Sequence, residues 1–91
     1  MGALMANAAL RSRQHAVSWP KVQRFVERLR EGEEPPAIQV DGDVIVDGYH
    51  RYVAGMIVGR HPPTRPGRVG YAKPPIPWKD VTFDLEDWGG D

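Results

Sequence analysis

Proline and glycine cut this chain into short pieces, and no other feature limits its folding as much. Ten glycines and nine prolines are spread over 91 residues, six of the prolines between residues 60 and 79. Each proline fixes φ and removes a backbone donor. The intervals between breaks suit helices of about three turns and strands of a few residues. No apolar run approaches the ~20 residues of a membrane span. At 10.2 kDa the chain has room for one domain, residues 1–91, which buries roughly 60–65% of its unfolded surface and is therefore of marginal stability.

Within those limits the periodicities are readable. Val22, Phe25, Val26 and Leu29 recur at i, i+3, i+4 and i+7, which predicts a helix from about Pro20 to Arg30. Ser18 is its expected cap, Pro20 suits its first turn and Gly32 its stop. Pro35 and Pro36 then enforce extended backbone. Residues 37–40 and 44–46 read as two strands joined through the tight-turn signal Asp41-Gly42-Asp43. His50 to Val58 reads as a second helix with Val53, Met56 and Ile57 on one face, ended by Gly59. Residues 60–79 read mostly as loop, with a short strand at Val69 to Ala72, and Val81 to Phe83 as a further strand. Ala6 to Leu10 has room for a turn of helix.

Charge is distributed in blocks although the formal net charge is zero. Residues 1–30 carry six bases against Glu27 alone, and residues 31–47 carry six acids and no base. Residues 48–79 carry six bases and no acid, and the tail 80–91 carries five acids and no base. Such blocks either pair with one another across the fold or turn a basic segment toward a phosphate-bearing ligand. The absence of cysteine excludes disulfides, thiolate metal sites and a cysteine nucleophile. The N-terminus lacks a signal-peptide layout, and Ala6 stands where N-myristoylation needs Ser or Thr. The expected location is the cytoplasm, with no membrane partner.

The segment Val44-Ile45-Val46-Asp47-Gly48-Tyr49-His50-Arg51-Tyr52 concentrates the chemistry. A buried strand runs into a helix through a single glycine. The first amides of that helix lack intrahelical partners, and the positive end of its dipole faces outward, so the junction suits an anion. Gly48 lets a ligand approach the backbone, and Tyr49, His50 and Arg51 occupy the first turn, where His50 and Arg51 can donate to phosphate oxygens. Asp47 can cap the turn or act on a proton or a metal. Asp47 and His50 are expected at an exposed pocket mouth.

The stretch VIVDGYHRYVAGMIVG resembles the signature of the ParB/sulfiredoxin superfamily, whose members carry a Gly-x-x-Arg box between a strand and a helix. The order of helix, Gly32, the Pro36-x-Ile38-x-Val40 strand and the box is similar to that of ParB N-terminal domains over about residues 13–60. The usual ParB box is Gly-Glu-Arg-Arg, whereas here it is Gly48-Tyr49-His50-Arg51. Sulfiredoxin chemistry is excluded, because Tyr49 stands where that family has its cysteine. The Asp-Gly-x-His-Arg form is closer to ParB-like nucleases and ParB-like free-serine kinases, and the residues after the box do not read as the helix-turn-helix of a partition protein.

The resemblance implies a small α+β domain with a short mixed sheet packed against helices. It implies a nuclease acting on DNA, in which Gly48, Tyr49, His50 and Arg51 hold a backbone phosphate. Asp47, with Mg²⁺, would organise water for attack, His50 and Arg51 completing the catalytic set. Domains of this kind also resemble the toxin tips of bacterial antagonism systems, whose partner is an immunity protein. A different class of reading is a nucleotide-binding or phosphotransfer module gripping ATP or CTP, and a third is a catalytically inactive protein-binding domain. Arg13, His15, Glu34, His61 and Arg68 are second-rank site candidates, and Arg60, Arg65 and Arg68 are the basic run expected to meet DNA. Trp19, Trp78 and Trp88 read as core or rim anchors. The three histidines do not have zinc-ligand spacing.

Overall fold

The computed structural model describes residues 4–6, 8–68 and 75–89. The order is β1 (Ala16–Ser18), α1 (Trp19–Arg30), β2 (Ile38–Asp41), β3 (Val44–Asp47), α2 (Tyr49–Val58), β4 (Thr64–Pro66), a 3-10 turn at Trp78–Asp80, and β5 (Thr82–Asp84). Two helices and two small sheets make an α+β fold. In the larger sheet β2 is central, antiparallel to β3 and parallel to β4. In the smaller one β1 and β5 run parallel.

The helix stripe on α1 is the buried one: Val22, Phe25, Val26 and Leu29 all lie in the core, each contributing about 1.5–3 kcal/mol by leaving water. At the C-terminus of α1 the Gly32 and Glu33 amides donate to the carbonyls of Leu29 and Arg28. This is the Schellman pattern, closed by Gly32 at φ +96°. The start of α1 differs from expectation. Ser18 is the residue before the first turn, but its hydroxyl makes no capping bond. It donates instead to the Glu86 carbonyl (2.8 Å) and accepts from the Trp88 amide (3.3 Å).

β2 and β3 form the expected hairpin, with a two-residue loop at Gly42 and Asp43. Two strands lay outside the sequence reading. β1 is three residues long, too short for its alternation to register, and β4 contains Pro66 inside the proline-rich run. Among the described residues β4 is an edge strand, paired with β2 alone, and edges are where a sheet tolerates proline. The strand expected at Val69 to Ala72 lies outside the described residues. Of the stretch Ala6 to Leu10, expected to make a turn of helix, Ala6 lies in a turn and residues 8–10 are not helical. Further along, the Arg11 amide donates to the Asp43 carbonyl (2.7 Å) and the Ile45 amide donates back to Arg11 (3.0 Å). Leu10 is held at both ends of its peptide: its amide donates to the Tyr52 hydroxyl, and its carbonyl accepts from the Trp78 indole.

The buried side of α2 is wider than the predicted stripe of Val53, Met56 and Ile57. His50, Tyr52, Val53, Ala54 and Gly55 are buried, while Met56 and Ile57 are only half covered. The reason is that α2 packs against α1, β1 and β2 together, so more than one face of it is taken out of water.

Ion pairs join basic blocks to acidic ones, among them Arg11 with Asp43 (2.9 Å), Arg24 with Asp87, Arg51 with Asp47 (3.2 Å) and Arg60 with Glu34 (3.6 Å). All are at least partly exposed, where water and salt screen the attraction.

Gly48 sets the angle between β3 and α2. Its φ of +103° lies in the left-handed region, and a Cβ placed there would sit 2.8 Å from Ile38 Cβ and closer still to Ile38 Cγ2, while Ile38 is itself fully buried. Gly59, at φ +82° beyond the end of α2, has open space around it. Gly59→Ala is therefore expected to cost about 1–2 kcal/mol, the backbone strain alone. Gly48→Ala should cost at least about 1–3 kcal/mol more through overpacking. Denaturant unfolding of the two variants side by side checks this difference.

Candidate functional site

Gly48 precedes the first turn of α2 and turns the chain so that the amides of Tyr49, His50 and Arg51 point away from the helix. This end of α2 opens into a cleft of about 230 Å³ lined by Gln14, Lys21, Phe25, Asp47, Gly48, Tyr49, His50, Arg51 and Trp88. The structure thus brings the whole junction Asp47 to Arg51 to one cleft. α1 supplies Lys21 and Phe25, one helical turn apart, and the C-terminal segment supplies Trp88.

Each junction residue is held by a different part of the fold. The Tyr49 hydroxyl donates to the Ile45 carbonyl (2.6 Å), tying α2 back onto β3. Arg51 is half-buried; its guanidinium donates to the Ala37 carbonyl (2.8 Å) and to Asp47 (3.2 Å). Arg51 is therefore partly a tie between α2 and the start of β2. Asp47 does not cap α2. Its carboxylate, 69% exposed, lies on the rim of the cleft against Arg51.

His50 departs furthest from the expected exposed position. It is buried, and its Nε2 accepts a hydrogen bond from the Ser18 amide at 2.9 Å. An acceptor nitrogen carries no proton, so the neutral ring holds its proton on Nδ1. The Trp88 indole packs edge-to-face against it, centroids 5.2 Å apart. Burial, followed by the positive charges of Lys21 and Arg24, pushes the His50 imidazolium down to a pKa of about 4. His50 near neutral pH is thus an uncharged ring whose Nε2 lone pair is occupied.

The second-rank candidates fall elsewhere. Arg13 and His15 lie just before β1 and do not line the cleft, and His15 is exposed. Glu34 pairs with Arg60 beyond the C-terminus of α1. His61 is exposed past the far end of α2, and Arg68 is exposed after β4. Arg60, one of the basic run expected to meet DNA, donates to the carbonyls of Leu29 and Glu33 (2.9 and 3.0 Å) and secures the end of α1. Among the described residues, no cluster of three or more His, Asp or Glu side chains is placed to hold a metal, and no helix is long and apolar enough to cross a membrane.

The sequence reading missed Gln14, Lys21, Phe25 and Trp88. Lys21 and Phe25 carried a usable signal, since a base four residues before a core aromatic near a helix start faces the same way as that aromatic. Trp88 carried none, being 38 positions from His50 in an acidic tail.

Comparison of the chain with protein-family models, curated proteins and solved structures finds no match.

The low pKa of His50 has a consequence for stability. The unfolded chain takes up this proton near pH 6.5 and the folded chain only near pH 4. Stability from the neutral ring is complete above about pH 6.5 and is lost as pH falls toward 4. Allowing for partial solvent screening, the loss should be about 1–2 kcal/mol. Thermal unfolding across this window checks it, and His50→Gln, which keeps an acceptor but does not titrate, should flatten the profile. His50→Ala leaves the Ser18 amide buried without a partner and should cost about 1–3 kcal/mol at neutral pH.

Proposed function

We propose that this protein grips the phosphate of a nucleotide at the N-terminus of α2, the nucleotide-binding alternative to the nuclease reading. The observation that supports it is the convergence on one cleft of the first turn of α2 with Lys21 from α1 and Arg51 from α2. Amides at the positive end of a ten-residue helix and two cationic side chains are a suitable anion-binding set. The cleft is smaller than the ~300–1,000 Å³ typical of drug-sized ligands, which suits a single phosphate and the group attached to it rather than an extended strand.

The nuclease reading stands second, and Asp47 carries it. Its exposed carboxylate on the cleft rim is placed beside where a phosphate would sit. Mg²⁺ commonly binds through one or two carboxylates and the substrate's own phosphate, so Asp47 would hold the ion only together with the ligand, and the ion would supply an activated water. His50 does not fit the acid–base role, because its Nε2 is engaged by Ser18. Within this reading an immunity protein would be the partner of a toxin domain.

Calorimetric titration with inorganic phosphate and pyrophosphate tests the grip. Lys21→Ala should weaken binding by about 1.5–3 kcal/mol, the range for a hydrogen bond to a charged group. Equal affinity in wild type and variant would place the anion elsewhere. Asp47→Ala separates the two readings. It removes a negative charge and releases one arm of Arg51, so a gripping site should bind phosphate tighter by about 0.5–1 kcal/mol. A nuclease should instead lose cleavage of plasmid DNA by about 10²-fold or more.

A further inference from the structure

Trp88 lines the cleft beside His50, and its setting is unusual for an aromatic residue in an acidic tail. The residue is 43% exposed, yet its position is determined from several sides. The indole Nε1 donates to Asp84 (2.9 Å), the backbone amide donates to the buried Ser18 hydroxyl (3.3 Å), and the ring packs edge-to-face on His50. On its two sides the segment is anchored further: Glu86 accepts from Ser18 through its carbonyl, and Asp87 pairs with Arg24. A ring pinned in this way has already lost its rotamer freedom, and the apolar surface it still shows to the cleft has not been taken out of water. A flat ligand group stacked there gains burial at little further entropic cost.

From this we infer that Trp88 is the stacking wall of the site, and that the ligand is a phosphate ester carrying a planar ring. The inference rests on the phosphate reading of the same cleft and adds the second half of the ligand. Lys21, Arg51 and the first turn of α2 receive the anion, and the indole receives the ring. A nucleoside monophosphate and a simple aryl phosphate share this chemistry. The tail is thus part of the binding site: β5 runs parallel to β1, Ser18 at the end of β1 ties the following segment down, and Trp88 arrives beside His50.

Calorimetry on the full chain tests it, with inorganic phosphate, ribose 5-phosphate, phenyl phosphate and a nucleoside 5′-monophosphate as titrants. The ring-bearing esters should bind wild type more tightly than phosphate or ribose 5-phosphate. Trp88→Ala should weaken the ring-bearing esters by about 5- to 150-fold, the range of base–aromatic stacking, and leave inorganic phosphate within about twofold. Trp88→Phe should restore part of the difference, and Trp88→Leu, which keeps an apolar cover over His50, should not. A nucleotide preferred over phenyl phosphate identifies a base as the ring, and the reverse preference identifies an aryl ester.

The inference is overturned if ring-bearing esters bind no tighter than phosphate, or if Trp88→Ala binds them as wild type does. Lys21→Ala distinguishes its failure from that of the phosphate reading. Loss of all esters in Lys21→Ala with no effect of Trp88→Ala keeps the anion grip and rejects the stacking wall. Dependence on Trp88 without dependence on Lys21 does the opposite, and absence of binding by every titrant rejects both.

Discussion

One buried peptide amide holds the site together. The Ser18 N–H, at the junction of β1 and α1, donates to His50 on the first turn of α2. The Ser18 hydroxyl holds the Glu86 carbonyl and the Trp88 amide. Ser18 is fully buried, and a buried backbone donor has to find a partner or cost the fold dearly. Its partner is the ring that lies under Trp88. Three segments distant in the chain, the β1–α1 junction, the first turn of α2 and the C-terminal segment, meet at this residue, and the cleft is the space left beside them. That arrangement also explains why a histidine in the first turn of a helix at an anion-suited end is neutral: its lone pair serves the fold, and its surroundings of apolar burial and nearby positive charge disfavour the imidazolium.

The charge blocks have a similar double use. Arg11, Arg24, Arg51 and Arg60 each meet a carboxylate from an acidic block, so part of the apparent basic character of residues 1–30 and 48–79 is neutralised within the molecule. Arg60 illustrates this best, since its guanidinium satisfies two carbonyls at the end of α1 that would otherwise need water. Asp87 is drawn to Arg24 beside the cleft, and that hydrogen bond, with a second from the Gly89 amide, holds its carboxyl below the usual carboxylate range. The charges of Lys21 and Arg24 both reach His50 and Asp87, and of the two it is Lys21 that lines the cleft.

Local patterns made much of this legible. The i, i+3, i+4, i+7 stripe of α1 placed its four core residues correctly because a helix with one buried face leaves its period in the sequence. The Asp41-Gly42-Asp43 turn placed the hairpin, and Gly48 marked the strand-to-helix junction because only glycine tolerates both its φ and the contact with Ile38. The patterns failed where short or doubly covered elements leave no period. β1 has three residues, β4 sits among prolines, and α2 is buried on more than one side, so Met56 and Ile57 proved less covered than His50 and Tyr52.

The junction chemistry of Asp47 to Arg51 follows from the sequence alone, because a strand, a glycine and a helix in succession place those residues at one helix end whatever surrounds them. The sequence by itself also determined the two helices and the hairpin. Only the tertiary structure decided which of the junction groups remain open to a ligand. Burial against Ser18 removed His50 as an acid–base group, a carbonyl of residue 37 took one arm of Arg51, and the parallel pairing of β1 with β5 delivered Trp88 to the cleft. Those outcomes depend on contacts between residues 14 to 70 positions apart, and no local pattern in the chain encodes which distant groups will compete for the same donor.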